Sequence, residues 1–459
     1  YLSHALFLFL LSLVLSSCFV AKKYRRPEVR TDNLYRGVTS TDTSSLAALK
    51  WRELFTDPVL QSLISEGIEN NLNLQIALTR VEQAEAAFNQ SRAAYQPLLD
   101  ADAGVTRSRL PETQSFGGGR NITRYQLNAT ASWEADIWGK LRSGKRASLA
   151  NLLQSEAGAQ AVQTSLIADI ANFYYLLMAL DHQAAITEQT VVNWDTTVRT
   201  MRALKEAAVV TEAAVVQSEA QRYAAEVTLP DLKQNIRETE NALSILLGRG
   251  PATIPRNTLA EQKTVEVLST GVSAQLLANR PDVRTAEFNY RYFFEQTNVA
   301  RSYFYPSLVI SGSAGFSAES LENFFDPVNF AANIGAGLTQ PIFGRRANRT
   351  RFQIARAQQE EASLNFQNTL LQAGAEVSDA LTLYQTAVEK MRVRANQIGA
   401  LQKSVEYSQE LLRNGFANYT EVITARQSLL QAELGNVNDR LQQLQAVVTL
   451  YRSLGGGWK

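Results

Sequence analysis

Apolar and polar positions along this chain follow two alternating periods. From Trp51 to about Ala94 the spacing is helical, with Leu60, Leu63, Ile64 and Ile68 at turn spacing and Asp57-Pro58 placed as a helix start. Pro97 ends that pattern, and a period of two takes over: Leu99, Ala101, Ala103 and Val105 on one face, Asp100, Asp102, Gly104 and Thr106 on the other. Phe116-Gly117-Gly118-Gly119 turns the chain, and a second strand sets Leu127, Ala129, Ala131 and Trp133 against Gln126, Asn128, Thr130 and Ser132. Lys140 to about Glu206 holds no proline and predicts one helix on the order of 100 Å long. A turn around Ala207 to Glu212 reverses it into a shorter helix that Pro230 should kink or break.

The second half repeats this order. Pro97 and Pro306, Ile137-Trp138-Gly139 and Ile342-Phe343-Gly344, Ala225-Glu226 and Ala432-Glu433, and Leu247-Gly248 and Leu454-Gly455 lie 205 to 209 residues apart. The repeated strands carry Leu308, Ile310, Gly312, Ala314 and Phe316 against Val309, Ser311, Ser313 and Gly315, followed by Phe330, Ala332, Ile334, Ala336 and Leu338. A second proline-free helix runs from Arg345 to about Arg413, turns around Asn414 to Tyr419, and returns with no counterpart of Pro230. The organisation is therefore two repeats, 51–250 and 272–459, joined by a connecting segment 251–271, with β-hairpins at about 98–137 and 307–342. Strands of about ten residues with a dyad pattern suit an outer-membrane barrel, although two hairpins packed on a helical layer would show the same alternation. Four strands cannot close a barrel, and open edges cannot face lipid. Two copies are the minimum, and three would give twelve strands around a lumen.

Charge and cysteine narrow the chemistry. A net charge of +1 with evenly mixed signs offers no basic patch and argues against a nucleic-acid partner. With two histidines and one cysteine, no catalytic, cofactor-binding or metal-binding constellation is expected. That cysteine closes Leu15-Ser16-Ser17-Cys18 after a short apolar run, the form of a lipoprotein signal. The expectation is a signal peptide over 1–17, covalent lipid on Cys18, and an acylated, extended strap over 18–50.

The chain resembles the TolC-like outer-membrane efflux factors, in the lipoprotein branch that serves resistance-nodulation-division pumps. The resemblance rests on the order of Lys23-Tyr24-Arg25-Arg26-Pro27, Trp51 with Phe55 and Asp57-Pro58, Asn71-Leu72-Asn73-Leu74, Ser132 to Lys140, Asn279-Arg280-Pro281-Asp282-Val283, Tyr305-Pro306-Ser307-Leu308, Gln340 to Gly344, Gly415 with Asn418-Tyr419, and Gly455-Gly456-Gly457-Trp458. It implies an α/β membrane protein, mostly α: a homotrimer with a twelve-stranded outer-membrane barrel, four strands per chain, continued by a long periplasmic α-helical barrel closed at its inner tip. It implies a passive, non-enzymatic conduit for drugs or other small toxic compounds, joined by a periplasmic adaptor protein to a proton-driven inner-membrane pump. Adaptor docking is expected near 203–218 and 410–426, with Thr211, Glu212, Gly415, Asn418 and Tyr419 at the turns.

Aligned on Gly415, Glu421 falls on one of two aspartate-ring positions known in the family, and Thr424 falls on the other, where the acid is missing. With Thr420, they are the expected periplasmic gate; the other reading of Glu421 is a solvated helix-start carboxylate. The tyrosine and arginine that latch some members fall on Leu412 and Ala417, so that latch is not retained. Trp133, Trp138 and Phe343 suit either an interfacial belt or packing beneath the barrel, Arg280-Pro281-Asp282 a helix start, and His182 a structural role. A type I secretion conduit and a non-conducting structural lipoprotein are the functional alternatives.

Overall fold

A computed structural model describes residues 20–29, 34–35, 45–109, 121–263 and 275–458. Cys18 and the Phe116–Gly119 loop lie outside the described residues. The main elements, in chain order, are α1 (Pro58–Asn70), α2 (Leu72–Ala93), β1 (Leu98–Arg109), β2 (Asn121–Ala135), α3 (Lys140–Glu206), α4 (Glu212–Glu226), α5 (Thr228–Leu246), α6 (Pro281–Ser302), β3 (Ser307–Ala318), β4 (Phe330–Thr339), α7 (Ala347–Arg413) and α8 (Tyr419–Ser453). No helix among the described residues is long and apolar enough to cross a membrane.

The chain forms two compact units. One comprises residues 1–28, 80–155 and 285–366; the other comprises 29–79, 156–284 and 367–459. The first holds an antiparallel sheet in the order β1-β2-β3-β4. Its register carries the expected faces across all four strands: Ala101 opposes Ala129, Ala129 opposes Ala314, and Ala314 opposes Ala332. Likewise Ala103, Leu127, Phe316 and Phe330 form one row. The other face is polar, with Asn128 Nδ2 donating to Asp102 (3.5 Å) and Asn333 Nδ2 to Ser313 Oγ (2.8 Å). Gly315 is required by space, because a Cβ there would sit 2.2 Å from the Leu127 carbonyl. At the sheet base Trp138 stacks on Tyr305 and donates to the Pro306 carbonyl at 2.7 Å, which is packing. Trp133 is half-exposed and donates to the Tyr95 carbonyl, whereas Phe343 is 91% exposed.

Strap residues 20–28 lie along α6. Arg26 pairs with Glu287, Tyr24 meets Phe294 edge-on at 5.6 Å, and Asn298 holds both the N–H and the carbonyl of Lys22 at 3.0 Å.

In the second unit the duplication is visible in backbone contact. Gly248, after α5, abuts the Asn70 carbonyl, and Gly455, after α8, abuts that of Asn279, each too closely to admit a Cβ. Several boundaries differ from expectation. The helix expected over 51–94 is three segments, Trp51–Leu54, α1 and α2. Asn71 takes an extended conformation between the last two; its Oδ1 accepts from Leu74 N–H (2.9 Å) and its Nδ2 donates to the Leu246 carbonyl (2.8 Å). The first return helix breaks at Val227, where the Pro230 ring would clash with a continuing turn, so Pro230 sits in the first turn of α5. α7 starts at Ala347, because Arg345 and Arg346 have φ of 47° and 64°, outside the helical region. Arg280-Pro281-Asp282 does start α6, but Arg280 is buried and bonded to Asp282, to Glu376 (2.8 Å) and to the Ser453 carbonyl (2.9 Å), so it joins three elements rather than only opening one.

The cap of α1 organises the core of this unit. Asp57 Oδ1 accepts from Val59 N–H (2.9 Å) and Asn257 Nδ2 (2.9 Å), and Oδ2 accepts from Tyr174 Oη (2.8 Å) and Gln262 Nε2 (2.7 Å). Burial alone would raise this carboxyl, but the bonds from Tyr174, Gln262, Val59 and Asn257 hold it below the usual carboxylate range. A folded value below the unfolded one means the stabilisation is complete above the unfolded pKa of about 4 and is lost as pH falls through the folded value. Asp57→Ala should cost about 2–4 kcal/mol, combining a lost cap with buried donors left unpaired. Urea unfolding in detergent, followed by helical circular dichroism at pH 7, measures this, and the gap from wild type should narrow below about pH 4.

Candidate functional site

The expected functional end of the molecule is where α3 turns into α4 and α7 turns into α8. Both turns belong to the second unit. Each long helix ends in the same motif. Gly415 has φ +76°, its N–H donates to the Leu412 carbonyl (3.1 Å), and the Phe416 N–H donates to that of Leu411 (2.9 Å). In the first turn Ala208 (φ 57°) takes the glycine's place, with Ala208 N–H to Lys205 and Val209 N–H to Leu204, both 2.9 Å. Both turns were legible in the sequence, but only Gly415 signalled a left-handed residue; Ala208 did not. The residue after each left-handed position is an exposed apolar one, Val209 (56% exposed) and Phe416 (82%).

The return helices are opened differently. Asn418 caps α8 by accepting from Thr420 N–H at 3.3 Å. Thr211 occupies the cap position of α4 without a side-chain cap bond, and Glu212 in the first turn pairs with Lys205 across the turn. The two turns pack together through Met201, Ala214, Val215, Leu412 and Val422, with Tyr419 against this cluster and against Trp194, Ala225 and Ile423. Leu412 is thus an apolar plug where the resemblance puts a latch residue. Arg202–Glu219 and Arg222–Asp195 tie α3 to α4 on the outside.

Of the predicted gate residues, Thr420, Glu421 and Thr424 are all exposed on the first turns of α8. Glu421 makes no ion pair among the described residues; its backbone N–H donates to the Asn418 carbonyl (3.1 Å). The structure therefore joins Asn418 and Thr420 in one cap, packs Tyr419 on the apolar clusters, and leaves Glu421 exposed.

Above the turns a groove of about 780 Å³ runs between α3, α7 and α8. Sequence reasoning missed it, because its residues are spread from 182 to 436. His182, expected to be structural, is exposed and lines one end of the groove. Arg426 and Glu433 share one face of α8 and line the groove. Burial lowers the Arg426 guanidinium and raises the Glu433 carboxyl. With its amide oxygen turned inward, Gln409 accepts from Arg426 Nε at 3.1 Å. Nothing at the turns or in the groove assembles a nucleophile, a base and an orienting group.

Comparison with known proteins agrees with this geometry. The sequence profile of outer membrane efflux proteins matches residues 63–249 and 272–456, and the chain belongs to that family. It is 27% identical over 454 residues to the solvent efflux pump outer membrane protein SrpC of Pseudomonas putida, covering 97% of each chain. A membrane protein of Pseudomonas aeruginosa superimposes with a TM-score of 0.89 at 26% identity, over 95% of this chain and 97% of that one. The MtrE outer membrane channel of Neisseria gonorrhoeae in its open state superimposes with a TM-score of 0.86 at 25% identity, over 96% and 98%. The protein is an outer-membrane efflux channel component with the TolC-like fold.

The paired turns yield a test. Ala208→Gly should stabilise the first turn by roughly 0.5–1 kcal/mol by relieving the left-handed conformation, and Gly415→Ala should cost the second about 1 kcal/mol. Hydrogen exchange of peptides covering 204–212 and 411–419 should slow in the first variant and quicken in the second.

Proposed function

We propose that three copies of this chain close a twelve-stranded barrel in the outer membrane, and that the trimer is the passive export conduit of a tripartite efflux system. The carrying observation is the open sheet: β1 and β4 are its two edges, and every residue of both strands is exposed, including Leu99 (74%) and Ile334 (84%). Such edges in hydrocarbon must be paired by another chain, β4 of one copy against β1 of the next. Light scattering of the mild-detergent complex, corrected for bound detergent, should give three chain masses; a stable single-chain mass would sink the conduit and favour the structural lipoprotein.

An inner-membrane resistance-nodulation-division pump supplies the energy through a periplasmic adaptor protein, which docks at the two turns. Exposed Val209 and Phe416, each held outward by a left-handed residue, suit an apolar contact there. The name of the Pseudomonas solvent-pump relative points to small toxic organic compounds as cargo. Cys18 carries the lipid anchor, a reading supported by Leu15-Ser16-Ser17-Cys18 and by the pinning of the strap two to four residues later. The gate comprises Thr420, Glu421 and Thr424, with three copies of Glu421 as the acidic ring. The exposed Glu421 carboxylate, without an ion pair among the described residues, supports that assignment. Glu421→Gln should raise single-channel conductance in planar bilayers or weaken block by divalent cations; an unchanged divalent response removes Glu421 from the constriction.

A further inference from the structure

A second cleft, of about 500 Å³, lies at the end of α6 and the first turns of α7, wholly within the unit that carries the sheet. Lys22, Arg301 and Arg356 line it against one acid, Glu360, and Phe294 and Phe352 form its apolar sides. Two other cations near α6 have carboxylate partners: Arg26 pairs with Glu287, and Arg146 with Glu295 at 2.8 Å. The three lining the cleft have none among the described residues. Arg301 uses Nη1 on the Asn298 side chain (2.9 Å) and the Val20 carbonyl (3.2 Å), with its guanidinium 5.6 Å from the Phe352 ring. Burial pushes the Arg301 guanidinium down, the mark of a cation desolvated without a counter-charge.

The position of the cleft identifies the anion. Arg301 is one residue from the end of α6, and β3 begins at Ser307, so the cleft sits at the base of the sheet. In an outer-membrane barrel that base is at headgroup level. We propose that the cleft binds the phosphate of an anionic phospholipid from the periplasmic leaflet. Two guanidinium groups supply directional donors to a phosphodiester, Lys22 a point charge, and the phenylalanines cover the glycerol and first methylenes. This rests on the outer-membrane placement of the family and not on the gate or on pump coupling.

The test uses the full-length protein purified in mild detergent, titrated with phosphatidylglycerol and followed by native mass spectrometry. Lys22→Gln combined with Arg356→Gln is the informative variant, because both side chains are exposed and Lys22 is held to Asn298 only through its backbone. Apparent affinity for phosphatidylglycerol should fall about tenfold in the variant, while weaker phosphatidylcholine adducts stay unchanged. Equal retention of phosphatidylglycerol by both proteins would overturn the site. Displacement by equimolar inorganic phosphate would overturn the lipid as its source. Loss of oligomer mass with lipid adducts intact would show instead that a second copy of the chain covers the cleft.

Discussion

Unpaired backbone at the two edges of the sheet is the constraint from which the rest of the molecule follows. Strands of 12, 15, 12 and 10 residues pair fully inside the chain, yet β1 and β4 each present a row of free N–H and carbonyl groups. In water such an edge invites aggregation; in lipid it costs several kcal/mol per unsatisfied group. No proline interrupts either edge strand, and apolar side chains alternate along both. Edges left so complete are suited to regular pairing. The pairing fixes register, because a slip of one residue would turn the row Leu99, Ala101, Ala103 toward the polar face.

Duplication meets that demand economically, and the two copies then diverged where geometry allowed. The glycines after α5 and α8 are locked by backbone contact, so both copies keep them. The turns are less constrained: one carries Gly415 and the other tolerates Ala208 at a positive φ. Pro230 divides the first return path into α4 and α5, whereas α8 runs unbroken for 35 residues. Removing an i to i−4 bond and adding a ring clash suffices for that difference.

Legibility in the sequence tracked the range of the interaction. Strand faces depend on neighbours two residues apart, and the long helices on the absence of proline, so the faces of β1 to β4 were readable and the 67-residue α3 almost to the residue, while β2 runs longer than its alternation showed. The Asp57-Pro58 helix start was readable for the same reason. The partners of Asp57 were not, because Tyr174, Asn257 and Gln262 stand 117, 200 and 205 residues away. Arg280 shows the same limit: its local role was visible, while its bond to Glu376 required the fold. The break at Asn71 escaped because its side chain closes one helix onto a distant carbonyl, that of Leu246. At the turns, Gly415 and Asn418 announced themselves by residue type. The groove holding Arg426 and Glu433 did not, since its residues look like ordinary polar helix positions until three helices are set side by side.

The contrast between the sheet and the turns clarifies what a conduit subunit needs. At the sheet, specificity comes from backbone pairing, and side chains can be small, as in the row Ala101, Ala129, Ala314, Ala332. At the turns the backbone is already satisfied by the helix-terminating bonds, so recognition must come from side chains. That is where exposed apolar residues appear, Val209 and Phe416, flanked by the ion pairs of Lys205 and Arg202. An apolar knob rimmed by paired charges is soluble alone and adhesive toward a complementary surface. A turn required only to reverse the chain would gain nothing by leaving Phe416 82% exposed. The adaptor contact proposed above would take that ring out of water.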